Sequence, residues 1–352
     1  MGPMTDIFTR TTDDGDGQSS AEGPRKGRRL SRGTKVLIVL ASIVVGILLV
    51  AIVGVGVWAS RLAATFDDNA TTIEQAFPDE STRPVADETG AMNILLMGSD
   101  SRADPTTVDD SAASDQRTDS MMLVHVDADR KAVWVMSIMR DLYVPIPGHG
   151  EAKINAAFAY GGSALTVQTV EQLLGVRIDH VAIIDFEGFK GMTTALGGVD
   201  VSSPQAFTAR GHSYVEGVNR LEGDAALAFV RERYAFPDGD FTRVENQQAF
   251  VKGLANTVLG RSTLTDPGKV SDFVTAMSPY LSVDAGFDVG TIGSLAFSLR
   301  NLDSSTMHFF TIPTAGTGMV GDQSVVNVDQ AGLETVKAAL ADDGLAAVVA
   351  AD

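Results

Sequence analysis

Alternating strand-length and helix-length segments predict a layered α/β domain, and a long uncharged segment ahead of them predicts one N-terminal transmembrane helix. Apolar runs at 93–97 (NILLM), 121–126, 132–139 and 181–186 have the length of buried strands. Between and after them, residues 163–174, 187–196, 223–230, 241–259, 267–281, 291–300 and 330–340 read as helices.

Each element has a local reason. The run at 93–97 ends at Gly98, and a polar loop covers 103–117. The turn Asp127-Ala128-Asp129-Arg130 joins the next two strands. Leu165, Val167, Val170, Leu173 and Leu174 recur at helical spacing, and Gly197-Gly198 stops the helix before it. Runs at 307–312 and 325–328 read as late strands.

Residues 36–58 carry no charge, and about 23 residues suffice to cross a bilayer as a helix. The segment is too long and too far from the N-terminus for a cleaved signal. Arg25, Lys26, Arg28, Arg29, Arg32 and Lys35 precede it, whereas Asp67, Asp68, Glu74, Asp79 and Glu80 follow soon after. Positive charge stays on the cytoplasmic side. The expected layout is therefore a disordered cytosolic tail at 1–35, the span at 36–58, an extracytoplasmic spacer at 59–90, a folded domain at 91–345 and a short tail at 346–352. The basic cluster needs no nucleic acid to explain it, and a chain of net charge −18 repels one. Cysteine is absent, which excludes thiol catalysis and thiolate metal sites and suits a bacterial envelope protein.

In this acidic chain three arginines gather in one short segment, Arg231-Glu232-Arg233 through Asp240 and Arg243, with Gln247 and Gln248 close behind. Asp100, Arg102, Arg117, Asp119 and Arg140 lie upstream. Guanidinium forks clamp phosphate, and neighbouring carboxylates suggest a divalent cation bridging to phosphate oxygens. Each feature has a plainer reading. Asp100 suits a turn, Asp119 a solvated strand start, and Arg140-Asp141 a surface ion pair. Arg231 and Arg233 can complement a helix end; they serve one ligand only if the helix stops near Val230 and the chain is then extended. Asp240 suits the N-cap of the helix from Phe241. The five histidines are scattered without metal-ligand spacing and read as structural. No nucleophile elbow, Walker loop or His-Glu-x-x-His is present.

The ordered set NILLMGSDSR (93–102), RTDS (117–120), SIMRD (137–141), KINAAF (153–158), LGGVDV (196–201), RER (231–233), Gly239-Asp240 and Arg243 resembles the LytR–CpsA–Psr family of bacterial envelope proteins. The resemblance implies a mixed central β-sheet packed by helices on both faces, with a long apolar pocket for a polyprenyl chain. It implies a phosphotransferase that moves a glycopolymer from a polyprenyl-pyrophosphate carrier onto peptidoglycan, held in the bacterial plasma membrane with its catalytic domain outside. By the same resemblance Asp100 and Asp119 hold Mg²⁺ (or Mn²⁺). Arg102, Arg140, Arg231, Arg233 and Arg243 contact phosphate, joined by Lys153 and Gln247; Asp240 is a base or orienter, and the hydroxyl proton goes to Asp240, Asp100 or Asp119. Met139 and Asn246 depart from the usual Pro and Arg. Phe158, Phe186, Phe189, Leu196, Leu227, Phe229 and Phe250 are candidates for a lipid slot, or ordinary core. Two other readings use the same residues: pyrophosphate hydrolysis, and a non-catalytic envelope regulator or lipid-binding scaffold.

Overall fold

The computed structural model describes residues 53–86, 89–99, 118–258, 260, 266–302 and 305–349. The chain divides into two compact units, residues 1–57 and 58–352. Of the first, residues 53–57 are described and are helical. The expected span at 36–58 therefore lies largely outside the described residues, among which no helix is long and apolar enough to cross a membrane.

The second unit opens on a helix, α1 (residues 58–69), and strand β1 (Thr71–Ile73). Its centre is a seven-stranded mixed sheet in the order β1-β12-β7-β2-β3-β4-β13. The inner strands are β2 (Met92–Ser99), β3 (Thr118–Val126), β4 (Val133–Ser137) and β7 (His180–Asp185). The outer ones are β12 (Leu281–Asp284) and β13 (Met307–Thr311). β3 runs antiparallel to β2 and β4, whereas β7 is parallel to β2 and β13 is parallel to β4. The carboxyl ends of β2, β4 and β7 and the start of β3 thus share one edge, where open α/β sheets place ligands.

Alternation fixes the two faces. Leu95, Met97, Met121, Leu123, Trp134 and Met136 point into one core, and Ile94, Met122, Val133 and Val135 into the cores opposite. The first face is covered by α2 (Ala156–Leu174) through Phe158, Val167, Val170 and Leu174, and by α8 (Gln330–Ala341) through Leu333, Val336 and Leu340. The second receives Phe66 of α1, Leu295 of α7 (Val289–Ser298) and Val251 of α5 (Asp240–Val258). Helices on both faces of a mixed sheet match the predicted fold class.

A second apolar cluster sits beyond the site edge. It joins α3 (Phe186–Ala195), α4 (Gly223–Arg231) and α5 to the ribbon of β8 (Val199–Ser203) with β11 (Gly217–Leu221) and the small ribbon of β9 (Phe207–Ala209) with β10 (His212–Tyr214). Two further ribbons pair β5 (Tyr143–Ile146) with β6 (Gly150–Lys153) and β14 (Thr314–Val320) with β15 (Gln323–Val328).

Three element readings need correction. The helix expected at 267–281 stops early: α6 (Pro267–Met277) gives way to a 3-10 turn at Ser278–Tyr280 and then β12, because Pro279 has no N–H for a helical ladder. The helix expected at 163–174 begins at Ala156, but Gly161 (φ −156°, ψ 26°) and Gly162 (φ 60°, ψ −150°) break it, so Ala156 to Tyr160 form a separate turn. The segment at 59–90, read as a spacer, adds β1 to the sheet edge beside β12. Its Arg83 is buried against Glu171 of α2 at 2.8 Å. A short helix α9 (Leu345–Val349) closes the described chain.

Candidate active site

Asp119, the second residue of β3, accepts two guanidiniums. Arg140 Nη1 donates to one oxygen at 2.9 Å and Arg231 Nη2 to the other at 3.2 Å. Arg140 arrives just past the end of β4, and Arg231 is the last residue of α4. Buried Ile138 and Met139 carry the chain between β4 and Arg140, with Met139 in the core where the resemblance expects Pro.

After Arg231 the backbone turns extended at Glu232 (φ −69°, ψ 134°). Buried Glu232 holds the turn by accepting from Tyr234 N (2.6 Å) and Ala235 N (2.8 Å). The helix therefore ends one residue beyond Val230, and the two arginines part. Arg231 lies over the Phe186 ring at 4.2 Å, whereas Arg233 reaches Asp240 at 3.7 Å. Gly239 adopts φ +47°, a left-handed turn that suits glycine, and starts α5. Asp240 is the first helical residue. Rather than accepting from the helix backbone, its carboxylate takes Arg243 Nη1 at 3.0 Å.

Asp141 connects the rest. Lys153 Nζ lies 3.0 Å from it, Arg140 Nε 3.5 Å, and a carboxyl–carboxyl hydrogen bond joins it to Asp240. Such a bond needs one proton. Burial and the bond to Asp141 push the Asp240 carboxyl up. Burial also raises Asp141, but the bonds from Asp240 and Lys153 and the charge of Arg140 outweigh it and hold that carboxyl below its ordinary range. Burial, and then the charge of Arg140, lower the Arg243 guanidinium from its ordinary value. Arg140 Nε and Arg243 Nε are buried without a hydrogen-bond acceptor. Arg140, Lys153, Arg231, Arg233 and Arg243 outnumber Asp119, Asp141 and Asp240, and such a surplus of positive charge suits an anion.

Two cavities open from this cluster. One, of about 270 Å³, is lined by Met122, Ile184, Phe186, Phe189, Leu227 and Phe250 among others, with Asp119, Arg231 and Gln247 also in its wall. The other, of about 1000 Å³, is polar and is lined by Arg140, Asp141, Lys153, Arg233 and Asp240. Asp119, between Arg140 and Arg231, ties the two together.

The structure thus brings Asp119, Arg140, Lys153, Arg231, Arg233, Asp240, Arg243 and Gln247 to one edge of the sheet. Asp100 and Arg102 lie outside the described residues. Gln247 bonds Ser120 and the Val230 carbonyl, while Gln248 is spent on Ser137, Thr311 and the Phe310 carbonyl. Of the apolar candidates, Phe186, Phe189, Leu227 and Phe250 line the small cavity, and Phe158 and Phe229 are core. Leu196 packs against the second cluster and is not in the cavity wall. Asp141, read from sequence as part of a surface ion pair, is central; its link to Asp240 crosses too much chain to be visible in spacing. At the far end of β3, His125 meets Asp343 (3.0 Å) and Asp127 (3.9 Å), and its other ring nitrogen bonds Asn93.

Residues 59–342 match the family model described as the LytR_cpsA_psr family. The chain belongs to the LytR–CpsA–Psr family. A "Polyisoprenyl-teichoic acid--peptidoglycan teichoic acid transferase TagU" of Enterococcus faecalis is 30% identical over 263 residues, 74% of this chain and 82% of that one. A "Cell wall biosynthesis protein LcpA" of Corynebacterium glutamicum is 31% identical over 280 residues, 68% of this chain and 54% of that one. Among solved structures, B. subtilis TagV superposes with a TM-score of 0.62 at 26% identity, covering 73% of this chain and 98% of that one. A LytR-Csp2A-Psr enzyme from Actinomyces oris shares the fold, with a TM-score of 0.61 at 19% identity over 76% and 94% of the two chains. The family match spans both cavities and every described residue of the charged cluster.

Proposed function

We propose that this LytR–CpsA–Psr chain transfers a glycopolymer from a polyprenyl-pyrophosphate carrier to a peptidoglycan hydroxyl. One observation carries the reading: the Arg140–Asp119–Arg231 triad links an apolar cavity, walled by Asp119 and Arg231, to a polar cleft, walled by Arg140, as a lipid-linked diphosphate requires. The isoprenoid enters between Phe186, Phe189, Leu227 and Phe250. The diphosphate lies at Arg140, Arg231 and Arg243, and the sugars extend into the polar cleft. The name borne by the Enterococcus relative, a transferase acting between polyisoprenyl-teichoic acid and peptidoglycan, supports the same donor and acceptor classes.

The acceptor oxygen attacks the sugar-bearing phosphorus. The bond from that phosphorus to the bridging oxygen breaks, and polyprenyl phosphate departs. The hydroxyl proton passes to the ionised Asp240, whose proton affinity burial and Asp141 have raised. The arginines stabilise charge on the transferred group and on the departing phosphate. Asp119 is the carboxylate that would hold Mg²⁺, which takes one or two carboxylates together with waters and substrate phosphates. Both its oxygens pair with Arg140 and Arg231, so the cation would take its place as the diphosphate draws those guanidiniums to itself. A bound Mg²⁺ would supply further neutralisation of the diphosphate. The charge flanks of residues 36–58 support a membrane anchor with this domain outside the cell.

The test is transfer from a polyprenyl-pyrophosphate-linked saccharide to peptidoglycan fragments, followed by acceptor-dependent release of polyprenyl phosphate. Arg231→Ala should lower the rate about 10²–10³-fold, the scale of losing one charge-stabilising donor. Full transfer by that variant would overturn the proposal, and acceptor-independent release would make the enzyme a hydrolase.

A further inference from the structure

Part of the lining of the polar cleft is not used by the diphosphate chemistry. Tyr160 stands there, 42% exposed, stacked on the imidazole of His149 with ring centroids 4.6 Å apart and planes within 14°. Both positions are built. Gly161 and Gly162 break the helix immediately after Tyr160, so this aromatic ends a short turn instead of continuing into the core-facing part of α2. Gly162 needs φ +60°, and a Cβ on Gly161 would lie 2.7 Å from Leu165 Cβ. His149 is fixed in the β5–β6 turn, where its N–H donates to the Ile146 carbonyl at 2.9 Å. Gly148 (φ +76°) and Gly150 (φ +73°) flank it.

The tip of the β14–β15 hairpin lines the same cleft through Asp322, Gln323 and Ser324, and β6 lines it through Glu151. An exposed aromatic ring in one cleft with carboxylate, amide and hydroxyl groups is the chemistry that holds a pyranose ring: C–H groups on the ring face, hydroxyls bonded at the edge. A cleft of about 1000 Å³ is at the upper end of small-molecule sites and has room for more than one sugar.

We infer that Tyr160, stacked on His149 and sharing its cleft with Gln323, is a pyranose-binding platform that positions a glycan unit beside Arg140 and Asp240. The inference rests on the proposed transferase reading for its role and on the cleft alone for its binding. A pyranose here has two sources, the acceptor strand or the first sugar of the donor, and the test separates them.

The full-length chain in detergent micelles is titrated with tetra-N-acetylchitotetraose, and separately with prenyl pyrophosphate bearing one sugar or none. Calorimetry reads binding without turnover. Tyr160→Phe should bind as the wild type does. Tyr160→Ala should weaken binding about tenfold, the loss of one stacking contact, with sugar-free prenyl pyrophosphate bound unchanged as the folding control. A loss with chitotetraose assigns the platform to the acceptor, and a loss confined to the sugar-bearing lipid assigns it to the donor. No loss with either, or no saturable binding of either saccharide by the wild type, overturns the inference. Saccharide binding by a chain that fails to transfer would sink the transferase reading and leave the platform standing.

Discussion

Asp119 sets the spacing of Arg140 and Arg231 by taking one guanidinium on each oxygen. Both arginines and the carboxylate are about four-fifths buried, so the triad is not an ordinary surface pair. Asp119→Asn keeps the shape but removes the charge that positions the arginines. Its transfer rate is expected to fall about 10²-fold or more, while circular dichroism shows a folded chain. Unchanged kinetics would show that the pairing is ornamental. The Asp141–Asp240 pair makes a second prediction. Because burial and Asp141 raise Asp240, the rate should climb with pH through a carboxyl titration above the ordinary aspartate value, as the acceptor of the hydroxyl proton ionises. In Asp141→Asn an amide N–H donates to the ionised carboxylate instead, which lowers its proton affinity. The acid limb of kcat/KM should then move to lower pH, and a limb that stays in place counts against Asp240 as proton acceptor. The linkage signs for stability are opposite: Asp240 favours the fold at low pH and loses that contribution as pH rises through its raised titration, whereas Asp141 contributes at higher pH and loses its part as pH falls through its lowered one.

At the scale of elements, α5 serves both cavities. Its first residue is Asp240 in the polar cleft, and its later turns present Gln247, Phe250, Val251 and Leu254 to the apolar one. Leu254→Trp adds bulk to the apolar wall. It should raise KM for a long-chain donor several-fold and leave a short prenyl donor nearly unaffected; equal effects on both would place the chain elsewhere. These elements were unequally legible in the sequence. β2, β3, β4 and β7 are continuous apolar runs, so their burial on two faces is written locally. β12 is not, since Leu281 to Asp284 follow a helix and Pro279, and their strand character comes from pairing with β7 and β1. The β5–β6 and β14–β15 ribbons, which form walls of the polar cleft, consist of short segments that turn chemistry and partner strands fix rather than periodicity. Arg140, Arg231 and Asp240 were visible as residue types out of place in an acidic chain. Asp141 was not, because its importance lies in a partner on a distant helix.

At the scale of the whole molecule, the segment ahead of β2 is strapped to the body. Arg83 donates to the Glu171 carboxylate at 2.8 Å and to the Ile178 carbonyl, and lies 4.4 Å over the Phe77 ring. The Glu171 side chain is 1% exposed and that of Arg83 is 5% exposed. Removing one partner strands a buried charge, so Arg83→Met should cost about 3–5 kcal/mol in chemical denaturation. Its kcat should stay within about twofold, since the strap lies outside the site; a large fall in kcat with stability intact would reverse that assignment. Arg140, Lys153, Arg231, Arg233 and Arg243 gather at one edge of the sheet of this acidic chain, where the apolar cavity and the polar cleft open. The decisive measurement is a structure of this chain with a polyprenyl pyrophosphate and Mg²⁺ bound. The account predicts a diphosphate between Arg140 and Arg231, its isoprenoid between Phe189 and Leu227, and Asp119 beside the cation. A diphosphate bound away from these arginines, or an isoprenoid outside the apolar cavity, would contradict it.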